Sequence, residues 1–271
     1  MEVQPLSPAL GARVVGVDPA DPDSVGRHAP ALRAAMAEHL LLVLSVPDLA
    51  PADQRRLAAL FGPVADESAD GSGWTLVSNV EEGGRLGDGA YLFHSDLEFT
   101  EAPLRYLSLY TLEVPRTPTH TRFANGIRAA AHLDATTRAD LAGRTAVHVF
   151  PLVDARGDRR FRLADLDPGA PRAVHPLLLE HPETHATILY ATAMQTDSVV
   201  GLPEAQSEAL LARAWEAAYA PDNVFAHEWS TGDLLLWDNL ALQHARDEVS
   251  GRRTLRRVPV GTRVAHLRTG V

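Results

Sequence analysis

Apolar positions along the chain fall into two kinds of pattern. In Ser24–His39, Val25, Leu32 and Met36 recur at helical spacing with Leu40 beyond, and the LLLVL run at 40–44 follows directly. The first pattern predicts an amphipathic helix and the second a buried strand. Pro51–Phe61 predicts a further amphipathic helix, and Asp66–Gly73 a polar loop before the extended segment WTLVSNV at 74–80. Glu81–Gly89 holds four glycines in nine residues and leads straight to His94, which suits a mobile lid over a site. After residue 100 short extended runs dominate: Arg105–Val114, Thr119–Ala124, Ala146–Leu152, Val174–Leu179, Thr187–Ala191, Phe225–Trp229, Asp233–Trp237 and Leu255–Thr262. Helical patterns over Gly126–Leu141 and Pro203–Ala220 interrupt them, with Pro203 and Glu204 in a first helical turn.

Many short strands with a few inserted helices predict a mainly β, α+β fold with a double-stranded β-helix (jelly-roll) core. Residues 1–271 read as a single domain, with Gly157–Pro171 a surface insertion rather than a linker.

Composition narrows the chemistry. With no cysteine, thiol nucleophiles, iron–sulfur clusters and Cys-ligated zinc are excluded, so any metal must take nitrogen and oxygen donors. A net charge of −10, with all 25 cationic side chains Arg, argues against nucleic acid as a partner. Arg159, Arg160 and Arg162, and Arg252, Arg253, Arg256 and Arg257, form local clusters whose plain reading is a solvated face. No segment has the length and apolarity of a membrane span or the layout of a leader, which predicts a cytoplasmic protein with no membrane partner.

The string YLFHSDLEF at 91–99 places His94 and Asp96 two residues apart, on one face if the segment is extended. Among 12 histidines such a pair is weak by itself, and a hydrogen-bonded structural pair is the plain alternative. The second signal is GDLLLWDNLALQH at 232–244, where a strand, a turn at Asp238-Asn239 and a second strand would form a hairpin bringing His244 to face them. Two imidazoles and one carboxylate make the facial triad of non-haem Fe(II) oxygenases, with positions left open for a chelating co-substrate and O2. Arg253 and Arg257 share strand parity and both can point inward, while Thr254 and Arg256 point out. An inward guanidinium would grip the distal carboxylate of a dianionic chelator bidentately.

HSD at 94–96, LLLWDNLALQH at 234–244 and RRTLRR at 252–257 together resemble the TauD/TfdA family of Fe(II)- and 2-oxoglutarate-dependent dioxygenases. PLSPALGARVVGVD at 5–18, THTRFAN at 119–125 and HPETHATILYA at 181–191 extend the resemblance through most of the chain. It implies that His94, Asp96 and His244 hold the iron, that Thr121 and Arg253 bind 2-oxoglutarate, and that Arg257 contacts an anionic substrate group. The implied reaction oxidises an unactivated C–H of a small, carboxylate-bearing substrate, converting 2-oxoglutarate and O2 to succinate and CO2. Halogenating relatives carry Gly or Ala in place of the carboxylate, so the intact Asp96 favours oxygenation.

Departures from the family pattern lie at His120, where an acidic residue is usual, at Ala90, where taurine dioxygenase has an asparagine, and at Ala193-Met194-Gln195. Taurine is therefore not the expected substrate. Asn79 and Tyr91, flanking the glycine-rich loop, are candidate substrate contacts, and Trp237 reads as core. His132, His175, His181 and His185 read as surface or hydrogen-bonded residues. A divalent-metal hydrolase or isomerase, or a non-enzymatic binder on the same scaffold, stays open as the alternative, as does assembly into a homo-oligomer.

Overall fold

The computed structural model describes residues 1–82, 84, 87–151 and 160–261. Among these, a seven-stranded sheet runs in the order Glu2–Pro5, Ala12–Val15, Leu41–Ser45, Asp233–Asp238, Tyr106–Glu113, Thr254–Val260, Thr75–Ser78. A four-stranded sheet faces it, in the order Val224–Glu228, His120–Asn125, Leu242–Arg246, Tyr91–His94. These two layers are the expected jelly roll.

The central strands of the larger sheet are buried on both faces, which explains why LLLVL and DLLLW carry no polar alternation. Leu41, Val43, Leu235, Trp237 and Leu255 point inward and meet Phe123, Trp229 and Leu242. Leu42, Leu44, Leu234, Leu236 and Val258 point the other way, into a second cluster with Val25, Leu32, Met36 and Leu57 of the helices Pro22–His39 and Pro51–Ala58. Each leucine withdrawn from water contributes roughly 2 kcal/mol, so this double-sided sheet is the rigid wall of the molecule. Asp21 caps the first helix by accepting the Asp23 N–H, with Pro22 in the first turn, and Leu40 ends it at a left-handed φ of 63°.

Several expectations need correction. The helix expected over Gly126–Leu141 is two, Gly126–His132 and Ala135–Leu141, because the Asp134 side chain takes the N–H groups of Thr136 and Thr137 and starts a new helix. The last long helix is Glu204–Ala218, and Pro203 caps it rather than joining its first turn. The strand expected at Val174–Leu179 is two, Arg172–Pro176 and Leu178–Glu180, in different sheets. Glu2–Pro5, Ala12–Val15 and Thr196–Val199 are strands that hydropathy did not single out.

The segment through Asp238-Asn239 is not a hairpin. Asp233–Asp238 belongs to the larger sheet and Leu242–Arg246 to the smaller, so the chain turns a corner between layers and His244 sits in the middle of its strand. Nor does a strand carry both His94 and Asp96: Tyr91–His94 ends at the histidine, and a turn with Leu97 at φ 61° follows. Arg256 does point away from the barrel, yet it is buried, donating from Nε to Gln54 Oε1 at 2.6 Å and from Nη2 to the Leu49 carbonyl at 2.7 Å. Arg160 and Arg162 are tied to Glu208 of the last long helix rather than solvated, whereas Arg159 and part of the Gly157–Pro171 insertion lie outside the described residues. So do Leu152, Thr262 and residues 83, 85 and 86 of the glycine-rich loop.

Candidate metal centre and co-substrate pocket

Antiparallel register puts His244 directly opposite His94 on one side and Phe123 on the other. Cross-strand neighbours stand about 5 Å apart, and the two imidazole centroids are 4.2 Å apart. The turn after His94 brings in the third group: Asp96 Oδ1 lies 3.5 Å from His94 Nε2 and 3.6 Å from His244 Nε2. One donor atom from each of the three falls within 4.8 Å of the others, the only such cluster among the described residues.

What surrounds the three donors prepares each for a cation. His94 Nδ1 bonds the Leu92 carbonyl at 2.8 Å, which fixes the proton there and leaves the Nε2 lone pair facing Asp96. Asp96 Oδ2 accepts from Arg257 Nε at 3.2 Å and Nη2 at 2.8 Å, so Oδ1 alone is turned to the imidazoles. Burial opposes ionisation of Asp96, but the Arg257 guanidinium beside it outweighs that cost and holds the carboxyl well below its usual range. Burial, reinforced by His94 beside it, pushes His244 down to about 3. It is therefore a neutral, metal-competent imidazole at physiological pH. Trp237, a core residue as expected, packs its ring edge-on to His244 with centroids 5.1 Å apart.

These shifts give the metal-free protein a defined acid sensitivity. His244 ordinarily titrates at 6.5 and at about 3 when folded, so the unfolded chain takes up the proton first. Stability is full above 6.5 and falls as pH drops through that window. His175, lowered by burial and by His148, adds the same sign, and Asp96 adds a further loss below its ordinary 3.8. Melting temperature measured against pH without metal should decline steadily below 6.5, and a flat profile down to 4 would contradict a neutral buried His244.

Arg253 is 3% exposed, and among the described residues no carboxylate pairs with it. Its Nε has no hydrogen-bond partner, and its guanidinium lies 5.7 Å from the Trp229 ring centroid. Burial and the neighbouring Arg246 push it down to about 9, so it stays a cation at neutral pH. A buried cation without an anion is costly unless a ligand supplies one. Trp229 donates to Thr121 Oγ1 at 2.9 Å, which gathers Thr121, Trp229 and Arg253 into one patch.

The remaining candidates are held by the protein itself. Arg257 Nη1 donates to Glu67 Oε2 at 2.6 Å, so this guanidinium already serves two carboxylates. Asn79 Oδ1 accepts the backbone N–H of Arg253 at 2.9 Å, and its Nδ2 bonds Asp88 and the Gly251 carbonyl. Tyr91 lies under Arg246, 4.8 Å from ring centroid to guanidinium carbon. His175 bonds the Thr100 carbonyl, His181 pairs with Asp238, and His185 pairs with Glu180, while His132 is exposed. Hydropathy and motif matching missed Glu67 and Asn239, whose roles depend on contacts across sequence distances no local pattern encodes.

Among relatives, the (S)-phenoxypropionate/alpha-ketoglutarate-dioxygenase of Sphingobium herbicidovorans is 29% identical over 262 residues, covering 90% of this chain and 88% of its own. The alpha-ketoglutarate-dependent 2,4-dichlorophenoxyacetate dioxygenase of Cupriavidus pinatubonensis is 33% identical over 174 residues, covering 61% of this chain and 58% of its own. The crystal structure of AAD-2 in complex with Mn(II) and N-oxalylglycine superposes with a TM-score of 0.78 at 25% identity, covering 96% of both chains. The family described as taurine catabolism dioxygenase TauD, TfdA matches residues 2–258, and the chain belongs to it.

Proposed function

We propose that this chain is an Fe(II)- and 2-oxoglutarate-dependent dioxygenase that hydroxylates, or otherwise oxidises, an unactivated C–H of a small carboxylate-bearing molecule. The observation that carries the reading is Arg253, a buried cation with no anion among the described residues, in a fold whose other inward feature is a His-Asp-His cluster. A metal-dependent hydrolase or isomerase has no use for that unpaired charge, and a non-enzymatic binder on this scaffold would keep its ligand affinity but consume no O2.

In this reading His94, Asp96 and His244 would hold the iron, Arg253 would grip the distal carboxylate of 2-oxoglutarate and Thr121 would hydrogen-bond the co-substrate. When bound, the metal and co-substrate activate O2 for C–H oxidation, with 2-oxoglutarate leaving as succinate and CO2. The chain's own part is orientation and exclusion of water. Trp237 and Phe123 pack against the His244 ring and keep solvent from its flank. Arg257 keeps Asp96 ionised and its Oδ1 aimed at the imidazoles, and Asn79 fixes the backbone from which Arg253 projects. We assign Tyr91 and Asn79 to the substrate side of the site, and Arg257 Nη1 to the substrate's anionic group. That group would have to displace Glu67 from Nη1.

The phenoxy acids named for the relatives agree with a carboxylate handle and suggest an aryl-bearing acid. The same reading makes the partner a free small molecule and the compartment the cytoplasm. The test is in two stages. Anaerobic Fe(II) and 2-oxoglutarate should give a visible charge-transfer band, and admitting air should release succinate, faster with phenoxyacetates and other small acids than with neutral counterparts. Absence of both band and succinate would remove the oxygenase reading, and stimulation by neutral compounds alone would remove the carboxylate handle.

A further inference from the structure

We propose that Asn239 is a positioning residue for the metal: its side-chain amide stands in for the strand neighbour that Asp96 lacks and holds that residue against the two imidazoles. The proposal rests on the metal-site reading above and adds to it a residue that touches neither metal nor substrate.

Pairing between Tyr91–His94 and Leu242–Arg246 stops at His94, so no ladder reaches the peptide groups of Asp96. Asn239, fully buried, makes a two-bond pair with Asp96 in their place. Its Oδ1 accepts the Asp96 N–H at 2.9 Å and its Nδ2 donates to the Asp96 carbonyl at 3.0 Å. Nδ2 donates also to the Leu104 carbonyl at 2.9 Å, and the Asn239 N–H donates to the Arg105 carbonyl at 2.9 Å. Both amide hydrogens and one lone pair of the amide oxygen are thus committed to the two segments that flank the turn.

The turn needs holding. Leu97 sits at φ 61°, a left-handed conformation that costs a non-glycine residue about 1 kcal/mol, so the surrounding contacts must keep it there. The amide that does so belongs to the corner whose next strand carries His244. That corner is itself pinned, since Asp238 Oδ1 accepts the N–H groups of Leu240 and Ala241, and Asp238 Oδ2 pairs with buried His181 at 2.8 Å. The second histidine and the carboxylate are therefore set by one rigid unit, 143 residues downstream of Asp96. Arg257 aims the carboxylate; Asn239 places the backbone that carries it.

The experiment compares the full-length wild type with Asn239→Ala and Asn239→Asp, the second keeping the size and the acceptor for the Asp96 N–H. Mn(II) affinity is read from the free aquo-ion by electron paramagnetic resonance, and melting temperature is read without metal. Loss of an orienting contact around a metal site weakens binding roughly 10–100-fold. That loss is expected for Asn239→Ala, and an intermediate one for Asn239→Asp. Lowered melting temperatures with Mn(II) affinity per folded molecule unchanged in both variants would overturn the proposal, leaving Asn239 purely structural. Failure of the wild type to bind Mn(II) would instead overturn the metal-site reading, and this proposal with it.

Discussion

Replacing Arg253 by leucine is expected to raise the KM for 2-oxoglutarate about 100-fold or more, the scale on which a buried, charge-assisted contact to a carboxylate operates. The same change should leave the ligand-free protein at least as stable. Ordinarily, removing a buried charge leaves its partner stranded, but Arg253 has no carboxylate partner among the described residues, and its Nε is unsatisfied. Leucine deletes a desolvated cation and forfeits only its contact with the Trp229 ring, worth about 0.5–1 kcal/mol. The two measurements, a 2-oxoglutarate titration and a melt without ligand, should therefore move in opposite directions. A variant that melts several degrees lower and binds 2-oxoglutarate normally would show that Arg253 is a structural residue.

Asp96→Ala should abolish metal binding more completely than any change around the site, with Mn(II) affinity falling by more than about 100-fold, beyond the range of losses from supporting residues. It should also destabilise the metal-free fold. Arg257, with its side chain 9% exposed, would keep Glu67 but lose Asp96. Breaking a buried pair by removing one partner costs about 3–5 kcal/mol, and Glu67 should retain part of that. His94→Ala provides the contrast: it removes a proposed metal donor but only one hydrogen bond, to the Leu92 carbonyl. Loss of Mn(II) binding in both variants, with a clear drop in melting temperature only for Asp96→Ala, is the expected result. Equal melting temperatures would mean that Arg257 does not depend on Asp96.

The residues that cluster as candidate metal donors were legible because their constraints are local in type. A metal site without cysteine must use imidazole and carboxylate, and His94, Asp96 and His244 stand in short strings of recognisable form. The inward parity of Arg253 and Arg257 followed from strand periodicity. Reading became unsafe where a residue's surroundings come from distant chain. Strand parity predicts extended geometry through Asp96, yet the strand ends at His94, and Asp96 reaches the imidazoles from the turn that follows, where Asn239 holds its peptide groups and Arg257 its carboxylate. The hairpin assigned around Asp238-Asn239 failed for a similar reason. Both flanking strands are apolar enough to pair with anything, and the sheets they join are chosen by Leu41–Ser45 on one side and His120–Asn125 on the other.

By itself, then, the sequence determined the fold class, the three side chains that cluster as candidate metal donors and the presence of an inward cation, since these depend on residue type and short-range period. Tertiary structure alone decided that Arg253 is left without a carboxylate among the described residues while Arg257 already serves two, and that Asn239 takes up the peptide groups of Asp96. Hydrogen bonds and ion pairs of that kind act over about 3 Å, and only folding brings Glu67, Asp96, Asn239 and Arg257 within that distance of one another's partners.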